Sequence, residues 1–245
     1  MDLKIKDVAE LLNVSETTIR RWLLDGKIPA YKLNRQYRFS RIEIENWMMK
    51  QKLGVSQAPD PLLPNQPPHQ IYPASEEGSV RHGGMQQFSL YRAIHRGGVH
   101  VDVPGDTKEE VIKTTMEKIA PLLRLDAEVL SELLLDRESL SPTALNNGIA
   151  VPHSRECLQR IPFDLVSIVF PKNPIDYGSL DGKPVDILFF LFATQDKTHL
   201  HLLSKIAHLS SDQEALSRLS KHPQKAPLLE FIREWEGNLG VHCAE

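Results

Sequence analysis

A break in the pattern, more than any motif, limits what this chain can fold into. From Leu53 to about Gln87 the sequence carries six prolines, four glycines and no sustained apolar periodicity. Such a stretch cannot bury enough apolar surface to offset the entropy of ordering it, and its prolines keep it extended rather than collapsed. It reads as a flexible linker over 53–87, so the flanks, 1–52 and 88–245, must fold around separate cores. Charge divides at the same place. Residues 1–52 hold 11 Lys+Arg against 7 Asp+Glu, net +4, which leaves 18 against 25, net −7, for the remainder. The basic end is where a polyanion would bind.

Several classes of protein drop out on composition. No apolar run reaches the roughly 18 residues that a membrane span requires. Asp2, Lys4, Lys6 and Asp7 leave no room for the apolar region of a signal peptide. The protein is therefore expected in the cytoplasm, with no membrane partner. Cys157 and Cys243 are the only cysteines. Two isolated thiols make neither a disulfide framework nor a Cys-x-x-Cys site, and both are expected to be reduced bystanders.

In the basic end, Ile5, Val8, Leu11 and Leu12 share one helical face before Asn13-Val14-Ser15 interrupts the period. Ser15 is a good N-cap for a second helix over 16–25, with Gly26 as its stop. Two short helices joined by a tight turn form a helix-turn-helix, with Thr17, Thr18, Arg20 and Arg21 near the outer face of the second. Tyr31-Lys32-Leu33 and Tyr37-Arg38-Phe39 then alternate around Asn34-Arg35-Gln36, which predicts a β-hairpin with a basic tip. Ser40 is placed to cap a closing helix whose Ile44, Trp47 and Met48 face inward. The whole resembles the small winged helix-turn-helix of the excisionase and MerR-like group. That resemblance implies a partner in duplex DNA, with Thr17, Thr18, Arg20 and Arg21 reading a major groove and Lys32, Arg35 and Arg38 on phosphate. A module this small is expected to act as a homodimer or beside a partner protein, since one recognition helix reads too few bases.

The longer region alternates helix and strand. A short helix near 88–94 precedes a strand at Val99–Val103. Thr107 and Asp126 then cap amphipathic helices over 108–122 and up to 136. Short β-rich runs follow at 147–151, 165–170 and 185–192, then helices over 198–209, 212–221 and 223–236. The alternation predicts an α/β layered domain around one sheet.

Within it, Gly148-Ile149-Ala150-Val151-Pro152-His153 delivers a histidine at a strand end. Gly148 permits a close backbone approach, and Pro152 is expected to stop ladder pairing just before His153. Ser154, Arg155 and Glu156 could open a helix or turn whose N–H groups meet an anion. Upstream stand Arg137-Glu138 and Thr143; downstream, His199-Leu200-His201-Leu202-Leu203 opens a helix. From about residue 88 to 240 the chain is similar to the enzyme IIA domain of the fructose/mannitol class of the bacterial sugar phosphotransferase system, including its nitrogen-related branch. The fold implied is a mixed central sheet flanked by helices, beside the small winged head.

The resemblance also implies the chemistry. His153 carries a phosphoryl group, with its other ring nitrogen oriented by a backbone carbonyl. His199 donates to the phosphoryl oxygens, and Arg137, 16 residues before His153, supplies charge or orients the loop. No cofactor and no metal is needed. A rival metal set of His153, His199 and His201, with Asp196, is disfavoured, because ligands two apart on a helix point roughly 200° apart. His201 is treated as surface. The joint expectation is a bacterial transcription regulator phosphorylated on His153, with the histidine phosphocarrier protein or a related donor as partner. The competing one is a phosphocarrier that passes phosphate to a sugar-specific IIB partner, the head serving only to localise it.

Overall fold

The computed structural model describes residues 2–12, 14–33, 36–52, 88–154, 157–158, 160–179 and 181–239. The expected linker, 53–87, lies outside the described residues, as do Arg35, Arg155, Glu156 and Cys243.

The head contains β1 (Asp2–Leu3), α1 (Ile5–Leu12), α2 (Glu16–Leu24), β2 (Tyr31–Leu33), β3 (Gln36–Ser40) and α3 (Arg41–Lys52). Ser15 caps α2 as expected, its side chain accepting from the Thr18 N–H at 3.1 Å. Gly26 follows at φ +63°, where a β-carbon would be strained, and turns the chain toward the hairpin. β2 and β3 pair antiparallel, and β1 adds a third strand on the other edge of β3. This two-residue strand is too short to leave a period. Val8, Ile19, Ile28, Phe39 and Ile44 close the head's core, with Trp22 and Trp47 packed 5.6 Å apart between ring centres.

The larger domain runs α4 (Ser89–Gly97), β4 (Val99–Val103), α5 (Lys108–Leu123), α6 (Ala127–Leu140), β5 (Ile149–Ala150), β6 (Leu165–Pro171), β7 (Ile187–Phe192), α7 (Asp196–Leu209), α8 (Gln213–Leu219) and α9 (Lys225–Leu239). Its sheet has the order β4-β6-β7-β5, parallel at β4·β6 and β5·β7 and antiparallel at β6·β7. The sheet is therefore mixed, and it is covered on both faces. Val166, Ile168 and Phe170 of β6 with Phe189 and Leu191 of β7 pack toward α4, α7 and α9; Leu165, Val169, Leu188 and Phe190 pack toward α5 and α6. Strands buried on both faces read as continuous apolar runs, which is why β6 and β7 were legible. Among the described residues no helix is long and apolar enough to cross a membrane.

The two regions are in contact. Helix α3 turns Ile44 into the head's own core but Met48 and Met49 into the core of the larger domain, beside α7. Met48 is thus inward-facing, yet the core it enters belongs to the other domain.

Candidate functional site

The site begins with how His153 is held. At the end of α6, Glu138 is buried; its carboxylate accepts from the Thr143 N–H at 2.9 Å and from the Thr143 hydroxyl. That anchors the turn whose Thr143 carbonyl accepts from the Val151 N–H, 3.1 Å away. Between them Asn147 and Gly148 take positive φ values of 63° and 72°. A β-carbon on Gly148 would lie 2.8 Å from the Asp186 carboxylate, so the turn needs glycine there. Pro152 does not stop the pairing. Its carbonyl still accepts from the Leu191 N–H at 2.9 Å, and His153 forms an isolated parallel bridge with Leu191. Proline removes a donor and leaves the acceptor, so this side of the ladder survives.

The ring itself is fully buried. Its Nδ1 lies 2.8 Å from the Val151 carbonyl oxygen, which can only accept, so Nδ1 carries the proton, and in that tautomer of the imidazole the lone pair is at Nε2. His199, in the first turn of α7, stands beside it at 5.1 Å between ring centres, 61° out of plane. Between the two sits a residue absent from every sequence expectation, Glu45 of α3. One carboxylate oxygen lies 3.5 Å from His153 Nε2 and the other 3.5 Å from His199 Nε2. At that length and geometry neither is a hydrogen bond, and both ring nitrogens are buried acceptor or donor positions without a partner.

The electrostatics follow from this enclosure. Burial alone would raise the Glu45 carboxyl, but contact with His153, and then the nearby His199 and the Arg41 guanidinium, bring it down to about 2. Burial, then the neighbouring His153, pushes His199 down to about 3. Arg41, one turn before Glu45, gives it an Nε–H bond at 2.9 Å and crosses to the larger domain to meet Asp196 at 2.6 Å. Burial works against that guanidinium, while Glu45 and Asp196 keep it firmly charged.

Arg137 is fully buried, and its guanidinium donates to the Ser141 carbonyl at 2.9 Å and reaches the Asn46 side chain of α3 at 3.5 Å. It therefore ties the turn after α6 to the head. His201 turns away, half-buried, with Nε2 3.0 Å from the Ser89 hydroxyl, rather than lying free on the surface. The set of His153, His199, His201 and Asp196 is not assembled. Two of its members are joined by Glu45 instead, all ligating atoms lying within 4.8 Å of one another.

Of the expected DNA-contacting residues, Thr17, Arg20, Arg21 and Lys32 are exposed. Thr18 is half-buried and shares its hydroxyl with Ser15 at 2.9 Å. Arg38 is half-buried, with its guanidinium on the Tyr37 carbonyl and Gln36. Arg35 lies outside the described residues.

A buried histidine with one nitrogen tied to the backbone, set at the edge of a mixed sheet and covered by a helix-turn-helix head, defines a two-part protein of the phosphotransferase IIA type. The chain belongs to the family of the phosphoenolpyruvate-dependent sugar phosphotransferase system, EIIA 2, whose model matches residues 93–235. Residues 3–52 match the helix-turn-helix domain family. Similar proteins include the nitrogen regulatory protein of Pseudomonas aeruginosa, 34% identical over 146 residues, covering 58% of this chain and 94% of that one. That of Escherichia coli K12 is 34% identical over 151 residues, covering 60% and 89%. A PTS IIA domain from Streptococcus pyogenes has a similar fold, with TM-score 0.50 at 21% identity over 59% of this chain and 95% of that one.

Proposed function

We propose that this protein is a DNA-binding regulator whose IIA-type domain accepts a phosphoryl group on Nε2 of His153, and that the phosphoryl group displaces the head. The observation that carries this reading is the carboxylate of Glu45, a residue of the DNA-binding head, set against the free nitrogens of His153 and His199. In the transfer, the Nε2 lone pair attacks the phosphorus of a phosphohistidine donor, the donor's P–N bond breaks, and the donor imidazole leaves with the bonding pair and takes up a proton. The Nδ1–H of His153 stays hydrogen-bonded to the Val151 carbonyl throughout, which fixes the tautomer. A phosphoryl group brings about two negative charges. Placed beside a buried carboxylate, it would impose an uncompensated burial of charge that costs roughly 3–5 kcal/mol, more than a small docked interface holds in reserve.

Duplex DNA is the partner proposed for the head, through Thr17, Thr18, Arg20 and Arg21 with Lys32, Arg35 and Arg38 on phosphate. Exposure of Arg20 and Arg21 on α2 while α3 is docked supports a regulator in which phosphorylation alters the head's freedom rather than uncovering its reading face. The phosphocarrier reading, with transfer onward to a IIB partner, is weakened by the same contact: a shuttle gains nothing from a head that fills its site. The deciding test is incubation of the full chain with enzyme I, the histidine phosphocarrier protein and phosphoenolpyruvate. Acid-labile phosphate is expected in the wild type and in His201→Ala, and none in His153→Ala. Labelling that survives the His153 change overturns the assignment. A shift of operator affinity on phosphorylation supports the regulator, whereas equal binding favours the carrier.

A further inference from the structure

In the docked state the proposed phosphoryl acceptor has, among the described residues, no hydrogen-bond donor in front of it. His153 Nε2 presents a lone pair, since Nδ1 holds the proton against Val151 at 2.8 Å. It faces Glu45, and an ionised carboxylate only accepts. Two buried acceptors 3.5 Å apart, with His199 Nε2 a third unpartnered nitrogen 3.5 Å from the same group, are complementary to a cation at their centre.

We propose that Glu45, His153 and His199 form a binding site for a zinc-class divalent ion, complete only while the head is docked, so that the ion clasps the head to the IIA-type domain. The donors are two imidazole nitrogens and a carboxylate, a set that suits zinc with three protein ligands. Tetrahedral zinc with bonds of 2.0–2.2 Å holds neighbouring ligand atoms about 3.4 Å apart. Glu45 Oε2 stands 3.5 Å from His153 Nε2 and Oε1 3.5 Å from His199 Nε2, and a set of one ligand atom from each residue lies within 4.8 Å, so a small inward shift closes it on an ion. Outer-shell support is present as well. Val151 orients the His153 ring through Nδ1, and the Arg41 Nε–H orients the Glu45 carboxylate at 2.9 Å, with Asp196 offsetting the guanidinium charge at 2.6 Å. A carboxylate has about four lone-pair sites, so the bond to Arg41 does not exhaust Glu45. All three ligand residues are at most 2% exposed, which protects the ion from competing water. The ligands come from residues 45, 153 and 199, two domains and three elements, so undocking removes one ligand and releases the ion.

The ion and the phosphoryl group would compete for the same Nε2, but ion binding needs no phosphodonor, which keeps the two readings separable. Full-length protein stripped with a chelator is titrated with cobalt(II), read by its visible absorption, and with zinc against a chromogenic chelator. One ion per chain is expected, with the intense absorption of tetrahedral cobalt. Glu45→Gln, His153→Ala and His199→Ala should each weaken binding at least about tenfold, while His201→Ala leaves it unchanged. Zinc should raise the melting temperature of the wild type but not of Glu45→Gln, which keeps the residue's shape should a histidine variant fail to fold. Absence of stoichiometric binding, or binding that survives Glu45→Gln, overturns the site. Phosphate labelling of His153 without ion binding sinks the ion alone; ion binding without labelling sinks the phosphoryl reading alone.

Discussion

The head and the IIA-type domain are built to different standards of self-sufficiency. The larger domain buries its sheet on both faces, with Val166, Ile168 and Phe189 on one side and Val169, Leu188 and Phe190 on the other. Among the described residues the head's own cluster buries Val8, Ala9, Ile19, Ile28, Phe39 and Ile44, and the head lends Met48 and Met49 to its neighbour. A domain of about 50 residues is marginal on its own. Docking on α7 therefore contributes part of the head's stability, and whatever undocks it acts on both folding and exposure of the site.

The strongest way to break the comparison is from the side of the sheet. Phe190→Ala, at the middle of β7, should cost about 3–5 kcal/mol and lower the main thermal transition. If the sheet is as self-sufficient as its two-sided packing implies, removing residues 1–52 should lower that transition far less than Phe190→Ala does. Next, Ile44→Ala should cost about 2–5 kcal/mol and melt the head while the sheet's transition persists, so two calorimetric transitions replace one.

A smaller effect sharpens the boundary itself. Met48→Ala with Met49→Ala should release the head without unfolding either core, and Cys157 can report it. Burial, then its contact with Asp196, pushes that thiol up to about 12, and Arg41 lies 3.7 Å away. On release it should return toward the ordinary value near 8.5, so alkylation at pH 8 should accelerate by more than about tenfold. The measurement belongs in a Cys243→Ser background. An unchanged rate would mean that the methionines do not hold the head. Least of all, Asp196→Asn removes the ion pair with Arg41. Asp196 is 52% exposed, so solvent screening limits the loss to about 0–1 kcal/mol, seen as a small fall in head stability that vanishes at high salt.

Most of the elements were legible because local physics decided them. Thr107, Asp126 and Ser15 cap α5, α6 and α2 where expected, each accepting backbone N–H bonds. The doubly buried β6 and β7 announced themselves as apolar runs. His153 and His199, 46 residues apart, were paired through resemblance, and the structure sets their rings 5.1 Å apart. Three things were not legible. β1 is too short to carry a period. Pro152 keeps an accepting carbonyl, so pairing continues past it to Leu191. Glu45 belongs to no motif in the sequence, and the one hint was that its neighbours Met48 and Met49 widen the apolar face beyond what the head's core needs.

By itself the sequence determined a proline-rich break in the pattern, most of the elements on either side of it, and a strand end that presents His153 on a turn only glycine can make at position 148. Those follow from short-range rules of backbone sterics, capping and periodicity, which act over a few residues. Tertiary structure alone decided what lies against the histidine. Glu45 and Arg41 stand more than 100 positions before His153 in the chain, and no local preference carries information across that distance. They are brought there because α3 buries Ile44 in one core and Met48 and Met49 in another, which leaves Glu45 facing the two rings.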